Sequence, residues 1–211
     1  MGLEPLKVIT MDGPAGAGKS SVARTVARRL GFTFLDTGAM YRAIAYGAVQ
    51  AGIEPLVSDS LVQYLDQVVL TIHPGGEVMG LKLNGQDVTE LIRSPEMGKH
   101  ASDYSTLEPV LSYCSTMQRQ FGETGRVVCE GRDMGTVVFP DARWKFFLTA
   151  SVEARAERRW TELTQKGESA DLNQIQEAIA ARDEQDSGRQ LAPLKPAEDA
   201  VIVDTTAMSF D

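Results

Sequence analysis

A glycine-rich segment at residues 13–20 carries residue types that bind phosphate. It reads Gly-Pro-Ala-Gly-Ala-Gly-Lys-Ser and matches the pattern GxxxxGK[ST] in full. Glycines let consecutive main-chain N–H groups turn toward one phosphate, and the lysine adds positive charge. We expect Lys19 to reach the β- and γ-phosphates of a nucleoside triphosphate and the Ser20 hydroxyl to ligand Mg²⁺. The predicted nucleotide-contacting residues are Gly13, Pro14, Ala15, Gly16, Ala17, Gly18, Lys19, Ser20 and Ser21.

A second group of anion-binding residues lies between a predicted strand and a predicted helix. Thr37 and Gly38 stand at the junction, and Arg42 falls about one turn inside the helix, next to Tyr41. A hydroxyl, free N–H groups and a guanidinium group can converge on one anion in this arrangement. The alternative is an ordinary capped helix with a surface arginine.

The segment 130–140, Glu-Gly-Arg-Asp-Met-Gly-Thr-Val-Val-Phe-Pro, follows a buried strand. In parallel α/β sheets, ligands bind beyond the carboxyl ends of the strands. Arg132 and Asp133 are therefore predicted to lie at the functional edge. A surface Arg–Asp pair within a turn is the alternative.

Arginines are concentrated late in an otherwise acidic chain, in two groups with helical spacing. Arg182, Asp186 and Arg189 are four and three residues apart, so one helical face can present all three. The second group also shares a face and consists of Arg155, Arg158 and Arg159. Solvated basic or salt-bridged faces remain the alternatives for both groups.

The elements that must position these residues alternate between strand and helix. A buried strand is predicted at 7–11, a helix with apolar Val22, Val26 and Leu30 follows, Gly31 ends it, and a second strand covers 32–35. Strand, helix, strand is the start of a parallel α/β sheet. Further core strands are predicted at 126–130, 145–149 and 200–204.

The middle of the chain changes period. Residues 38–66 are predicted to be helical, as are 108–121. Between them, strand-like segments at 68–72 and 79–83 are separated by Pro74-Gly75-Gly76, and Asn84-Gly85 predicts a tight hairpin turn that leads to a third strand near Val88. We expect an antiparallel insert, roughly 64–104, in a second lobe. Ser151 and Asp171 are predicted helix N-caps.

Composition narrows the class of protein. The 211 residues carry a net charge of −8, which argues against a nucleic-acid or anionic-membrane coat. No apolar run approaches the roughly 18 residues of a membrane span, and no secretion signal is recognised, so we expect a cytoplasmic protein. Cys114 and Cys129 fit no metal spacing and are expected to be buried free thiols.

Together these motifs resemble the bacterial cytidylate (CMP) kinase family. The resemblance runs over essentially the whole chain and rests on GPAGAGKS, LDTGAMYR, the hairpin insert, HASD at 100–103, EGRDMGTVVFP and RDEQDSGRQLAPLKPAEDA. Mammalian-type UMP/CMP kinases differ, because their usual GFPR stretch is absent here.

The resemblance implies an α/β fold of the P-loop kinase type: three layers, a central parallel sheet, a small inserted nucleoside-monophosphate-binding lobe and a short lid. The chain would be one domain over 1–211. Its core would cover about 1–37, 105–153 and 170–211, the lobe about 38–104, and the lid about 154–169.

The resemblance also implies roles for matching residues. Thr37, Arg42, Arg132 and Arg189 would hold the acceptor phosphate. Ser102 and Asp133 would bind the cytosine, and Arg182 and Asp186 the sugar. At least one of the lid arginines would reach the transferring phosphoryl group.

Two departures from the family pattern are visible. The family places an arginine after a valine in the helix that follows the insert, whereas this chain has Val110-Leu111. Because that arginine helps to contact the nucleobase, we expect weaker discrimination among pyrimidine acceptors. Family members also usually continue beyond residues 204–206 with a terminal helix, whereas this sequence ends at Asp211.

The expected reaction is transfer of the γ-phosphate of ATP to CMP or dCMP, with Mg²⁺, by a protein that binds small nucleotides and is a monomer. A kinase for UMP or another small phosphorylated acceptor is the alternative within this class. A regulatory nucleotide-binding protein is a second, although no Asn-Lys-x-Asp guanine-binding motif occurs in the sequence. A nucleotide-binding scaffold without activity is a third, and Leu111 is the feature that favours it.

Overall fold

The computed structural model describes residues 8–74 and 79–210. Its centre is a five-stranded, all-parallel sheet with strand order β2-β6-β1-β7-β8. The strands are β1 Val8–Asp12, β2 Thr33–Asp36, β6 Val127–Gly131, β7 Trp144–Thr149 and β8 Val201–Asp204. The predicted α/β class and parallel sheet are therefore confirmed.

Seven α-helices accompany the strands within the described residues. They are α1 Lys19–Leu30, α2 Thr37–Gln50, α3 Asp59–Gln67, α4 Pro95–Tyr104, α5 Glu108–Glu123, α6 Val152–Gln165 and α7 Leu172–Ser187. α1 packs with Ile9, Met11 and Val128 on one face of the sheet, while α2 and α5 pack on the other.

The central position of β1 fixes the layout of the functional edge. All five of its residues are buried, as expected for a strand covered on both faces. It pairs in parallel with β6, in a register that places Asp12 beside Gly131. The segments that leave the carboxyl ends of β1 and β6 therefore start side by side.

The insert forms a separate antiparallel sheet. Its strands are β3 Leu70–His73, β4 Gly80–Leu83 and β5 Gln86–Asp87, in the order β3-β4-β5. Its buried residues share one hydrophobic cluster with α2, α5 and one face of the large sheet. The predicted hairpin is thus confirmed, with Val88 just after the third strand rather than within it.

The predicted helical stretch at 38–66 consists of two helices. α2 ends at Gln50, and Gly52 adopts a left-handed φ of 68° that a continuing helix excludes. Pro55 follows, and the Ser58 hydroxyl then accepts from the Leu61 N–H to start α3. Apolar residues continue through the break, so the apolar pattern alone did not separate the two helices, although Gly52 and Pro55 were available signals.

Several local expectations are confirmed. Gly31 ends α1 with a φ of 65°. Ser151 and Asp171 accept hydrogen bonds from the N–H groups of Ala154 and Gln174, so they cap α6 and α7. Both cysteines are buried free thiols. Lys7 and the Gly75-Gly76 turn lie outside the described residues.

Two elements were not predicted. Leu91–Arg93 forms a short 3-10 helix before α4, and Met134–Val138 forms one turn of π-helix after β6. π-turns are uncommon and recur at functional sites. No helix in the two described ranges is long and apolar enough to cross a membrane.

Candidate functional site

The glycine-rich segment forms a tight loop between β1 and α1. Gly13, Gly16 and Gly18 have φ values of 144°, 78° and 87°, which other residues rarely adopt. A Cβ atom at Gly13 would collide with the main-chain carbonyl oxygen of Leu148 on β7. The loop therefore depends on glycine for both its backbone conformation and its closeness to the sheet.

Lys19 starts α1 and lies inside the loop. Its side chain is buried, and Nζ donates to the Pro14 carbonyl oxygen over 2.8 Å. The pKa of Lys19 is lowered to about 7, chiefly by burial and also by repulsion from the neighbouring Arg132. Because its pKa is so low, Lys19 can gain a proton when an anion binds in this loop.

Asp12, the last residue of β1, holds the π-turn in place. Its two carboxylate oxygens accept from the N–H groups of Met134 and Gly135 over 2.9 and 2.7 Å. Burial raises the pKa of Asp12, although these two hydrogen bonds lower it in part. Asp12 thereby connects the start of the glycine-rich loop, residues 13–20, to the segment that carries Arg132 and Asp133. We call residues 13–20 the phosphate loop.

The predicted acceptor arginines surround one buried carboxylate, Asp186. Arg132 Nε donates to Asp186 Oδ2 over 2.7 Å, and Arg189 Nη2 donates to Oδ1 over 2.5 Å. Arg182 Nε lies 4.0 Å from Oδ2. Burial alone would raise the pKa of Asp186, but Arg132 and Arg189 outweigh it and hold the pKa low.

Three guanidinium groups around one carboxylate leave an excess of positive charge. Burial lowers the pKa of Arg182 to about 10, and the repulsion from Arg132 adds to this. The Nε atoms of Arg182 and Arg189 are buried and have no hydrogen-bond partner among the described residues. The positive charge of the cluster and these two Nε donors suit a further anion.

The Thr37–Arg42 segment lies at the same edge, and several of its polar groups already bond to other protein groups. The Thr37 hydroxyl is buried and donates to the Glu130 carbonyl oxygen over 2.6 Å. Asp36 caps α2 at the Ala39 N–H and pairs with Arg42 over 3.5 Å. The convergence of these groups on an anion stays a prediction.

Three oxygen groups lie near the phosphate loop at this edge: the Ser20 hydroxyl and the carboxylates of Asp36 and Glu130. Burial raises the pKa of Glu130 and Asp36 raises it further, whereas Lys19 and Ser20 lower it. Facing carboxylates beside a hydroxyl are hard oxygen donors, which is the chemistry that Mg²⁺ accepts. No cluster of three or more His, Cys, Asp or Glu side chains suited to a metal occurs among the described residues.

Asp133 and Ser102 stand at the other end of the acceptor region. Burial raises the pKa of Asp133 to about 7, with Asp12 as the second cause, and Asp133 Oδ2 has no hydrogen-bond partner among the described residues. The Ser102 hydroxyl donates to Gln185 Oε1 over 3.1 Å. Both side chains thus offer polar atoms to a base-sized ligand.

Tyr41 lies close to both Asp133 and Gln118. Burial raises the pKa of Tyr41 far above its usual value, Cys114 and Asp133 add to this, and the Gln118 amide lowers it. Gln118 is fully buried on α5. Gln118 was not predicted from the sequence, although a polar residue four positions after the buried Cys114 was the available signal. Leu111 is also buried on α5, so no cation is presented from that position.

The three predicted lid arginines take different partners. Arg155 is buried, donates to the Ala150 and Ala15 carbonyl oxygens and pairs with Asp183. Arg158 donates to the side chain and carbonyl of Thr205. Arg159 is exposed and pairs with Glu162 over 2.7 Å. In this conformation, Arg155 and Arg158 bind protein groups beside the phosphate loop and Arg159 points outward.

A groove of about 910 Å³ extends from the phosphate loop between α1, β7 and β8. Ala17, Gly18, Arg158 and Thr205 line its end near the loop, and apolar side chains such as Phe146 line the rest. The Thr205 hydroxyl also donates to the Ala17 carbonyl over 3.2 Å. The loop end of this groove has room for the part of a donor nucleotide beyond its phosphates.

The site therefore contains two sets of groups suited to anions at one edge of the sheet. The phosphate loop and Lys19 follow β1, while Arg132 follows β6 and meets Arg182 and Arg189 at Asp186. Main-chain amides on one side and guanidinium groups on the other suit two phosphate groups brought together for transfer.

Comparisons with known proteins agree on one family. A family model described as Cytidylate kinase matches residues 9–211. The chain is 46% identical to a protein named Cytidylate kinase from Geobacter sp. (strain M21) over 204 residues, which is 97% of this chain and 88% of the relative. A protein of the same name from Carboxydothermus hydrogenoformans is 44% identical over 96% of this chain and 91% of its own length. One from Thermotoga neapolitana is 45% identical, with the same coverage.

Proposed function

The chain belongs to the cytidylate kinase family, and on that premise we propose that it transfers the γ-phosphate of ATP to CMP or dCMP. The products are ADP and CDP or dCDP, within pyrimidine nucleotide metabolism. The observation that supports this most is the cluster of three guanidinium groups around Asp186, which places positive charge near Lys19 of the phosphate loop.

On the donor side, the main-chain N–H groups of the loop bind the triphosphate. The left-handed φ values of Gly13, Gly16 and Gly18 support this role, because they allow amides to turn inward. Lys19 exchanges the Pro14 carbonyl for phosphate oxygens and becomes fully charged as it does so. The N-terminal end of α1 adds its dipole.

On the acceptor side, Arg132 and Arg189 bind the phosphate of CMP, together with Thr37 and Arg42. Guanidinium groups suit this role because their planar fork donates two hydrogen bonds to one phosphate. Arg182 and Asp186 contact the sugar. Asp133 and Ser102 bind the cytosine.

Ser20 would hold Mg²⁺ directly, beside the Asp36 and Glu130 carboxylates. When bound, the ion neutralises charge on the phosphate oxygens of the donor. Burial and then the nearby Asp36 raise the pKa of Glu130, which supports a cation there, because a divalent ion would offset the repulsion between the two carboxylates.

Catalysis by these residues is positioning and charge neutralisation. The acceptor phosphate is already an anion at pH 7, so no side chain must remove a proton from it. Lys19, Arg132 and Arg189 offset the repulsion between the two phosphates as they approach in line. Closure of α6, with Arg158 and Arg159, excludes water that would otherwise take the phosphoryl group.

The same proposal covers the organisation of the chain. Residues 1–211 form one kinase domain with a nucleoside-monophosphate-binding lobe at about 38–104 and a lid at about 154–169. The continuous family match over residues 9–211 supports a single domain. We further propose a monomer that acts in the cytoplasm, the compartment that supplies ATP.

UMP is the second candidate acceptor, and one observation favours it. Leu111 places an apolar, buried side chain where family members present an arginine to the base region. Base recognition then depends on Asp133 and Ser102, two groups that can also face uracil.

A panel of acceptors tests the proposal. Purified protein with ATP and Mg²⁺ is assayed with CMP, dCMP, UMP and AMP at matched concentrations, with ADP formation as the readout. We expect the highest kcat/KM with CMP or dCMP. Hydrolysis of ATP that does not depend on any acceptor would reject the proposal in favour of a regulatory nucleotide-binding protein.

A further inference from the structure

Arg155 makes contacts that its sequence position did not predict. Its side chain is only 3% exposed, although it lies on α6 among charged residues. Nε donates to the Ala150 carbonyl over 2.9 Å, and Nη1 donates to the Ala15 carbonyl over 3.1 Å. A buried arginine whose donors meet protein acceptors is held in one position.

The contact with the phosphate loop is steric as well as polar. A Cβ atom placed on Gly16 would lie 3.2 Å from Cβ and 3.5 Å from Cγ of Arg155. The hydrogen bond to Ala15 and the packing against Gly16 act on adjacent loop residues. The position of Arg155 therefore depends on the conformation of the middle of the phosphate loop, where we propose that phosphate binds.

The other side of the same guanidinium group contacts α7. Arg155 Nη1 and Nη2 donate to Asp183 Oδ1 and Oδ2 over 3.0 and 2.5 Å, a two-bond pairing. Such forked pairs fix orientation as well as distance. Asp183 thus joins α7 to the loop through one side chain.

Asp183 stands three residues before Asp186, which is less than one turn of the same helix. Asp186 in turn binds Arg132 and Arg189. A continuous path of hydrogen bonds and one rigid helix therefore runs from the phosphate loop to the guanidinium groups of the acceptor side.

We propose that the Arg155–Asp183 pair is a positioning element that couples occupancy of the phosphate loop to the placement of the acceptor arginines. Donor and acceptor nucleotides then bind with positive cooperativity, since each stabilises the arrangement that the other needs. This inference rests on the proposed function, because it takes the two ligands to be a nucleoside triphosphate and CMP. Arg155 acts here through other residues and need not touch a phosphate.

Reciprocity makes the coupling measurable from either ligand. If a bound triphosphate tightens CMP binding by some factor, bound CMP tightens triphosphate binding by the same factor. We expect that factor to be about fivefold or more in the unmodified protein, which is the usual lower limit for coupled sites.

The experiment is a calorimetric titration of CMP into the protein, with and without a saturating non-hydrolysable ATP analogue and Mg²⁺. Asp183→Asn removes the charge and one acceptor of the pair with little change in shape. We expect this variant to bind CMP alone about as the unmodified protein does, and to lose most of the tightening that the analogue produces. The KM for CMP at saturating ATP should rise accordingly, with a smaller change in kcat.

Asp199→Asn is the matched control. Asp199 is also the partner of a buried cation, Lys145, at 2.7 Å, but it lies before β8 and contacts neither nucleotide region in the proposal. It should lower the thermal midpoint and keep the coupling factor. A coupling loss in both variants would mean that lower stability alone explains the effect, and the positioning role would be rejected.

A second variant guards against loss of folding. Arg155→Lys keeps the charge but loses the planar fork and the Nε donor to Ala150, so it should also reduce the coupling factor. If the unmodified protein itself shows no coupling, the inference is wrong whatever the variants do. In that case turnover of CMP in the acceptor panel still decides the proposed function separately.

Discussion

Arg132 Nε donates to Asp186 Oδ2 over 2.7 Å, although 54 residues separate them in the chain. Arg132 follows β6, whereas Asp186 is one residue from the end of α7. The pair therefore joins the sheet edge to the helix that carries Arg182. Because Arg189 uses the second oxygen, one carboxylate positions the whole acceptor cluster.

Replacing that carboxylate tests its organising role. In Asp186→Asn, three guanidinium groups lose their shared counter-charge in a buried site, which should cost about 3–5 kcal/mol of stability. The KM for CMP should rise at least tenfold if the arginines separate. Thermal unfolding and steady-state kinetics measure the two effects. Glu184→Gln, an exposed position on the same helix, should change neither, and an unaltered KM in Asp186→Asn would contradict the assignment.

Arg189→Ala separates binding from folding. Arg189 lies just beyond α7, and its loss leaves Asp186 paired with Arg132. We expect kcat/KM for CMP to fall by about 10- to 100-fold while the thermal midpoint changes little. Arg93→Ala, an exposed arginine on the insert, provides the comparison. Equal turnover in both variants would remove Arg189 from the acceptor site.

Lys19 should take up a proton when ATP binds. Its pKa in the free protein is lowered from the usual 10.5 to about 7 by burial and by Arg132, so near pH 8 it is mostly neutral. Triphosphate oxygens favour the charged form and raise the pKa again. Affinity for ATP should therefore decrease as pH rises above 7, with uptake of roughly one proton per ATP at pH 8.

Calorimetry in buffers of different ionisation enthalpy measures that proton. Lys19→Gln has no such group, and its binding enthalpy should be independent of the buffer. Lys19→Ala should lose turnover altogether. Buffer-independent binding by the unmodified protein at pH 8 would show that Lys19 is already charged in the empty loop.

The raised pKa of Asp133 predicts that the preference for CMP over UMP depends on pH. Burial, and then Asp12, raise its pKa from the usual 3.8 to about 7, so the carboxylate forms as pH rises through neutrality. A carboxylate accepts from the amino group of cytosine but repels the O4 atom of uracil. The ratio of kcat/KM for CMP over UMP should thus increase by about fivefold to tenfold between pH 6 and pH 8.

Ionisation of the substrate phosphates cancels in that ratio, because CMP and UMP share it. Asp133→Asn keeps the size of the side chain without the titration, so its ratio should be flat over the same range. A sloping ratio in the Asn variant would assign the titration to another group.

Gly13 tests the dependence of the loop on backbone geometry. A Cβ atom there would meet the Leu148 carbonyl, and the φ of 144° disfavours any other residue. Gly13→Ala should therefore abolish detectable ATP binding by calorimetry and lower stability. Gly98→Ala is the control, since Gly98 lies in α4 with free space around it. That change should raise stability by about 0.5–1 kcal/mol.

The features that the sequence predicted are those that a short stretch of chain contains. Residues 13–20 bring glycines, lysine and serine together without help from the fold, and Asp171 caps α7 through a hydrogen bond to Gln174 only three residues away. Arg182 and Asp186 were also predictable as neighbours, because helical periodicity alone puts them on one face.

Two of the features that were not predicted depend on contacts between distant segments. Nothing near Arg155 in the chain indicates Asp183, because their pairing requires α6 and α7 to pack against each other. The π-turn at Met134–Val138 likewise depends on Asp12, more than 120 residues earlier, which accepts from two of its N–H groups. Local sequence propensity depends only on nearby residues, so it cannot indicate such distant partners.

The register of β1 with β6 has a consequence for how acceptor choice can evolve. Asp12 and Gly131 are neighbours across one strand spacing, about 4.8 Å, so sheet hydrogen bonds set the gap between the starts of the two segments that we propose to bind phosphate. Of the two residues proposed to bind the base, Asp133 follows β6, whereas Ser102 comes from α4 in the insert. Mutations in the insert can therefore change which nucleobase is preferred, while the spacing between the two phosphate-binding segments that we propose stays the same.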